Sequence, residues 1–178
     1  QTFANWRSNM TNTSLLVKRS IKSAASAAKA SFGYPRTANG SIHVLAYHRA
    51  VANIEKAERE AVYGVVVSAK TFRRHCEMLR RSFDIVSLET AIHFLEAGRT
   101  VARPMAVITF DDGYDDFYDE AFPVLNDLGL PATVFLPTGY IGKDLPLPHD
   151  RIFWLVKLAA ERSVPISRVL EHLGVESF

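Results

Sequence analysis

The run Met105–Phe110, MAVITF, limits the fold of this chain more than any other stretch. Six consecutive residues, apolar except for one threonine, describe a strand buried on both faces. Strands of that kind belong to parallel sheets covered by helices. The surrounding pattern agrees. Ile42–Tyr47 (IHVLAY) is a second short, apolar strand. Residues 51–67 read as a loop ending in Val65-Val66-Val67. Ser68 then caps a helix to about Phe83, with Phe72, Cys76, Leu79 and Phe83 at helical spacing. Ile85-Val86 is a brief strand, and Ser87 opens a helix through Glu96 that Gly98 closes. A helix over 115–128 carries Phe117, Ala121, Phe122, Leu125 and Leu128 on one stripe, with Pro123 expected to kink or restart it. Ala132–Leu136 (ATVFL) is another buried-type strand, 137–150 a loop, and 151–162 and 166–173 two helices. Alternating strands and helices imply parallel pairing with right-handed crossovers. Only about three such repeats are evident, and an open sheet that small leaves apolar edges. The expected fold class is α/β, part of a larger barrel rather than the whole of one.

Composition excludes other classes. With 178 residues, 48% hydrophobic and 22% charged, the chain is not wholesale disordered. No apolar stretch reaches the roughly 20 residues of a spanning helix. A single cysteine, Cys76, excludes an internal disulfide framework and a thiolate zinc site. The net charge of +2 conceals an asymmetry. Residues 1–40 hold six of the 21 basic side chains and no acidic one, leaving 15 basic against 19 acidic residues, a net of −4, in residues 41–178. That leader begins at Gln1 rather than Met, so it is read as processed or as the start of a fragment. Within it, 14–32 is a basic, alanine-rich helix that either packs or frays or makes weak contact with an anionic membrane surface. Charges interrupt every apolar run that could serve a secretory signal, so localisation leans cytoplasmic or membrane-peripheral.

The chemistry concentrates in Thr109-Phe110-Asp111-Asp112-Gly113-Tyr114. Two adjacent carboxylates leave the C-terminal end of a buried strand, the edge where parallel α/β folds bind ligands. Their mutual repulsion is resolved by a bound divalent cation. Because successive strand residues face opposite ways, one acid can address a metal while the other acts as acid or base. Gly113 permits the tight turn into the next helix. Asp115, Asp116, Asp119 and Glu120 follow on that helix and are read as capping and solvated. His48, in Tyr47-His48-Arg49, ends the first strand and lies on the same edge if the two strands pair in parallel. A histidine there can serve as a general acid near neutral pH. No two histidines stand two to four residues apart, so no local chelating pair exists. His149-Asp150, in a proline-flanked loop, is a minor candidate.

TFDDG after an apolar strand, preceded by LAYHRAV and followed by LPATVFLPTGYIG, resembles the polysaccharide deacetylase family, the NodB-homology domain of carbohydrate esterase family 4. The likeness runs from about Ser41 to Gly142, and the Phe153-Trp154 helix resembles an insertion in some bacterial members, placed at about 143–178. It implies a distorted (β/α)-barrel hydrolase that removes acetyl groups from an acetylated polysaccharide or oligosaccharide, with no nucleic-acid partner. Carried over, Asp111 is the general base, Asp112 a metal ligand, zinc first among divalent ions, and His48 the general acid of a permuted branch. Tyr114 lines the pocket or steadies the acetyl group. The family's His-x-x-x-His ligands and its Arg-Pro motif are absent and are expected beyond Phe178, so this chain is expected to bind metal weakly or not at all and to lack useful turnover. A non-catalytic glycan-binding or regulatory barrel remnant is the alternative. A magnesium-dependent receiver or phosphatase-like domain is disfavoured, because the Ala132–Leu136 strand ends in Pro137-Thr138 without a lysine.

Overall fold

The computed structural model describes residues 41–62, 64–99 and 102–172. The helix expected over 14–32 lies outside them, as does the stop at Gly174. The described residues fall into two compact units, one up to Trp154 and one from Leu155 onward. In chain order the described elements are β1 (Ile42–Tyr47), β2 (Arg49–Val51), α1 (Ile54–Glu60), β3 (Val66–Ser68), α2 (Ala69–Ser82), β4 (Asp84–Ile85) and α3 (Leu88–Glu96). There follow β5 (Met105–Phe110), a π-helical turn (Phe117–Ala121), α4 (Phe122–Leu128), β6 (Thr133–Val134), a 3₁₀ turn (Thr138–Tyr140), α5 (Pro148–Glu161) and α6 (Ile166–His172). No described helix is long and apolar enough to cross a membrane.

The strand that the apolar run announced organises the larger unit. All six residues of β5 are buried. β1 pairs with it in parallel along its whole length, from Ile42 opposite Met105 to Tyr47 opposite Phe110. β4 pairs with its first two residues and β6 with its last two. A separate parallel pair joins β2 to β3. The α/β class with parallel strands is therefore as expected. Its core gathers Ala50, Phe72, Cys76, Ile108, Phe110, Ala121, Val124 and Leu125. Phe110 is the hub: Tyr47 stacks on it at 5.4 Å, while Phe72 and Phe117 meet it edge-on at 5.3 and 4.9 Å. That aromatic cluster anchors the end of β5 immediately before the acids.

Three local expectations change, and the break expected at Pro123 takes a particular form. Residues 51–67 are not simply a loop, for they hold α1 between two paired strands. Asn53 caps α1 by accepting from the Lys56 amide at 2.9 Å. Only Ala57 of this charge-rich helix is buried, so no apolar stripe advertised it. The strand at 132–136 shrinks to Thr133–Val134, which pair with Thr109 and Phe110 at the end of β5. The helix over 115–128 splits at Pro123, which has no amide proton to give. A π turn precedes it, closed by the Phe122 amide on the Phe117 carbonyl, and the proline falls in the first turn of α4. Finally, α5 begins at Pro148 and takes His149 and Asp150 out of the loop into its first turn.

Candidate active site

Parallel strands in matched register carry side chains to the same side at each step. Tyr47 lies opposite Phe110, so His48 emerges beside Asp111. The Asp111 amide donates to the Tyr47 carbonyl at 2.8 Å and ties the two strand ends together. The backbone then departs from strand geometry. Asp112 adopts φ 71°, and Gly113 φ 63°, both in the left-handed region. Aspartate tolerates that region better than most side chains, yet it still stores strain of the kind found at functional sites. The turn breaks the strand's alternation, so the two carboxylates converge instead of facing apart. His48 Nε2 lies 4.0 Å from Asp111 Oδ2 and 4.0 Å from Asp112 Oδ2. Both expected acids and the expected histidine thus share one half-exposed centre.

Residues without a leading role in the sequence complete the surroundings. His149 Nε2 sits 3.5 Å from Asp112 Oδ2. The Tyr114 hydroxyl is 2.7 Å from that same Nε2 and donates to Asp150 Oδ2 at 2.7 Å. A phenol has one proton, and an ionised carboxylate only accepts. Tyr114 gives its proton to Asp150, so His149 must carry a proton on Nε2 and donate it to the tyrosine oxygen. Burial, reinforced by the hydrogen bond to Asp150, raises the Tyr114 pKa above its ordinary value and keeps the phenol protonated. The Arg49 guanidinium lies over the Tyr114 ring at 4.7 Å and donates from Nε to Asp116 Oδ2 at 2.6 Å. Asp116 is therefore not the solvated helix-face acid expected of it. Its side chain turns inward, and burial raises its pKa even against the lowering effect of Arg49.

Sequence reasoning under-weighted Arg49, Asp116, His149 and Asp150. Arg49 adjoins His48, which was a usable signal. Asp150 lies 36 residues from Tyr114, and nothing in its neighbours reveals the pairing.

The donor set does not complete a cation site. Asp112 offers an oxygen, but the nearest imidazole nitrogen, His149 Nε2, is engaged with Tyr114. Among the described residues, no group of three or more His, Cys, Asp or Glu side chains is disposed to hold a metal ion. The arrangement nevertheless brings two carboxylates and an imidazole together on the C-terminal edge of a parallel sheet, groups able to accept and donate protons.

The fold and this centre define a parallel α/β protein with two carboxylates and a histidine gathered at one sheet edge. Comparison makes the likeness specific. Residues 98–161 match the family model for polysaccharide deacetylase. The chain is 31% identical over 109 residues to "Putative polysaccharide deacetylase YxkH" of Bacillus subtilis (strain 168), covering 60% of this chain and 38% of that protein. Its fold resembles IcaB from Ammonifex degensii, with a TM-score of 0.50 and 25% identity over 60% of this chain and 42% of the other. A de-N-acetylase from Aggregatibacter actinomycetemcomitans shares the fold at a TM-score of 0.51 and 24% identity, over 60% and 43% of the two chains. The polysaccharide deacetylase likeness read from TFDDG therefore holds in sequence and in fold over about 60% of the chain. The chain spans less than half the length of each of these relatives.

Proposed function

We propose that this chain carries the base, the acid and one metal-binding carboxylate of an enzyme that hydrolyses acetyl groups from a polysaccharide or oligosaccharide. The observation that carries the reading is His48 standing 4.0 Å from both carboxylates at paired strand ends. Asp111 accepts a proton from the attacking water. His48, on the same edge, donates a proton to the departing amine or hydroxyl. Asp112 is the one carboxylate this segment would offer a divalent cation, zinc first; such a cation would supply Lewis acidity at the reacting centre. Tyr114 acts through position: its hydroxyl is committed to Asp150 and His149, which leaves its ring to shape the pocket. Weak surface attachment through 14–32 and a cytoplasmic or membrane-peripheral setting complete the proposal.

The test is acetate release from N-acetylglucosamine oligomers by the longest natural form of the protein. Asp111→Asn and His48→Gln should each lower the rate by about 10²-fold or more. Asp112→Asn should lose bound zinc, read by metal analysis, together with activity. Normal deacetylation with both acids replaced by asparagine would overturn the assignment. For residues 1–178 alone, added zinc should yield no useful turnover, because the described donors do not complete a metal site. Robust release from that chain would refute this part of the proposal.

A further inference from the structure

Next to the acids lies a cleft of about 560 Å³ that Asp112 and Tyr114 line together with Glu60, Tyr140, Lys143 and Trp154. Its least expected member is Trp154. The residue is 52% exposed, a large apolar area to leave in water on the first half of a helix. The ring is nevertheless fixed, for its indole Nε1–H donates to the Glu60 backbone carbonyl at 2.9 Å. An indole held at its edge and half open to solvent presents a pre-set flat surface, with little rotamer freedom left to lose on binding. The cleft offers donors and acceptors alike, with Arg49 and Lys143 beside the acids Glu60, Asp112, Asp115 and Asp150. That excess of acid disfavours an anionic ligand. A neutral polyhydroxylated ring finds partners of both kinds for its hydroxyls while its C–H face covers the indole.

We propose that this cleft is a sugar-binding subsite adjoining the acid pair, with Trp154 as its stacking platform, seating a neighbouring ring of the glycan. The proposal rests on the deacetylation reading and extends it. Binding energy gained at a ring remote from the reaction helps to hold the acetyl group over Asp111.

The chain's two tryptophans are Trp6 and Trp154, so fluorescence reports on the platform directly. The wild-type chain is titrated with an N-acetylglucosamine tetramer and, separately, with a xylose tetramer, by fluorescence and calorimetry. The N-acetylglucosamine tetramer should bind and perturb the emission. Trp154→Phe should abolish that perturbation while retaining calorimetric binding. Trp154→Ala should weaken binding about tenfold or more. If Trp154→Ala does not fold, the phenylalanine variant decides alone. A fluorescence response that persists in Trp154→Phe, or wild-type affinity in Trp154→Ala, removes the subsite and leaves the deacetylation reading intact. Binding of the xylose tetramer alone, with the same dependence on Trp154, upholds the subsite and sinks the acetylated-substrate reading. Binding of neither tetramer overturns the subsite.

Discussion

At the scale of the residue, the centre depends on two consecutive left-handed positions, Asp112 and Gly113. A β-carbon on Gly113 would collide with Leu136 Cδ2, and the left-handed backbone is itself unfavourable for alanine by about 1–2 kcal/mol. Leu136 is half exposed and can swing aside, so the backbone cost dominates. Gly113→Ala should therefore destabilise the fold by about 1–2 kcal/mol in urea unfolding. A variant with the wild-type midpoint would mean that the turn is not what sets these conformations. At Asp112 the comparison is between replacements. Asparagine tolerates the left-handed region and alanine does not, so Asp112→Ala should be about 1 kcal/mol less stable than Asp112→Asn. The acids and the glycine were legible because they are neighbours in sequence. The left-handed turn at Asp112, which makes the carboxylates converge, was not, since only the pairing of β1 with β5 defines where the strand must end.

Among the elements, legibility followed apolar periodicity. α2 was readable because Phe72, Cys76 and Leu79 repeat on one face and all three are buried. α1 was not, because its stability comes from a cap and a single buried alanine rather than a stripe. The break at Pro123 was foreseen, but its form was not, because a π turn leaves no mark in composition. α2 supplies the measurable consequence at this scale. Ser68 Oγ accepts from the Thr71 amide at 3.1 Å, so Ser68→Ala should cost about 1 kcal/mol. Phe72 is fully buried beneath Tyr47 and Phe110, and Phe72→Ala should cost about 3–5 kcal/mol. Thermal or urea denaturation checks both, and an equal cost for the two would contradict this division between cap and core.

For the whole molecule, the same aromatic core links global stability to pH through a group outside the acid centre. The Tyr47 hydroxyl lies 3.2 Å from His75 Nδ1. Burial, with the neighbouring Cys76, pushes the Tyr47 pKa up to about 12, so the phenol is protonated and is the donor. Nδ1 must then accept, which requires a neutral imidazole there. Burial of His75 acts in the same direction and lowers its pKa below the ordinary value. A histidine whose folded-state pKa is depressed contributes stability that is complete above its unfolded pKa of about 6.5 and lost as pH falls through the depressed value. Between pH 7.5 and 5 the wild-type chain should therefore lose stability, seen as a falling urea midpoint. His75→Gln, which has no titrating ring, should show a smaller fall over that range. The loss should also reach the acid centre, since Tyr47 ends β1 and its carbonyl holds the Asp111 amide at 2.8 Å. Amide exchange at Asp111 should accelerate on acidification, relative to the intrinsic rate, in the wild type more than in His75→Gln. Identical pH dependence in the two chains would show that the imidazole titrates without cost and that the end of β1 does not respond to it.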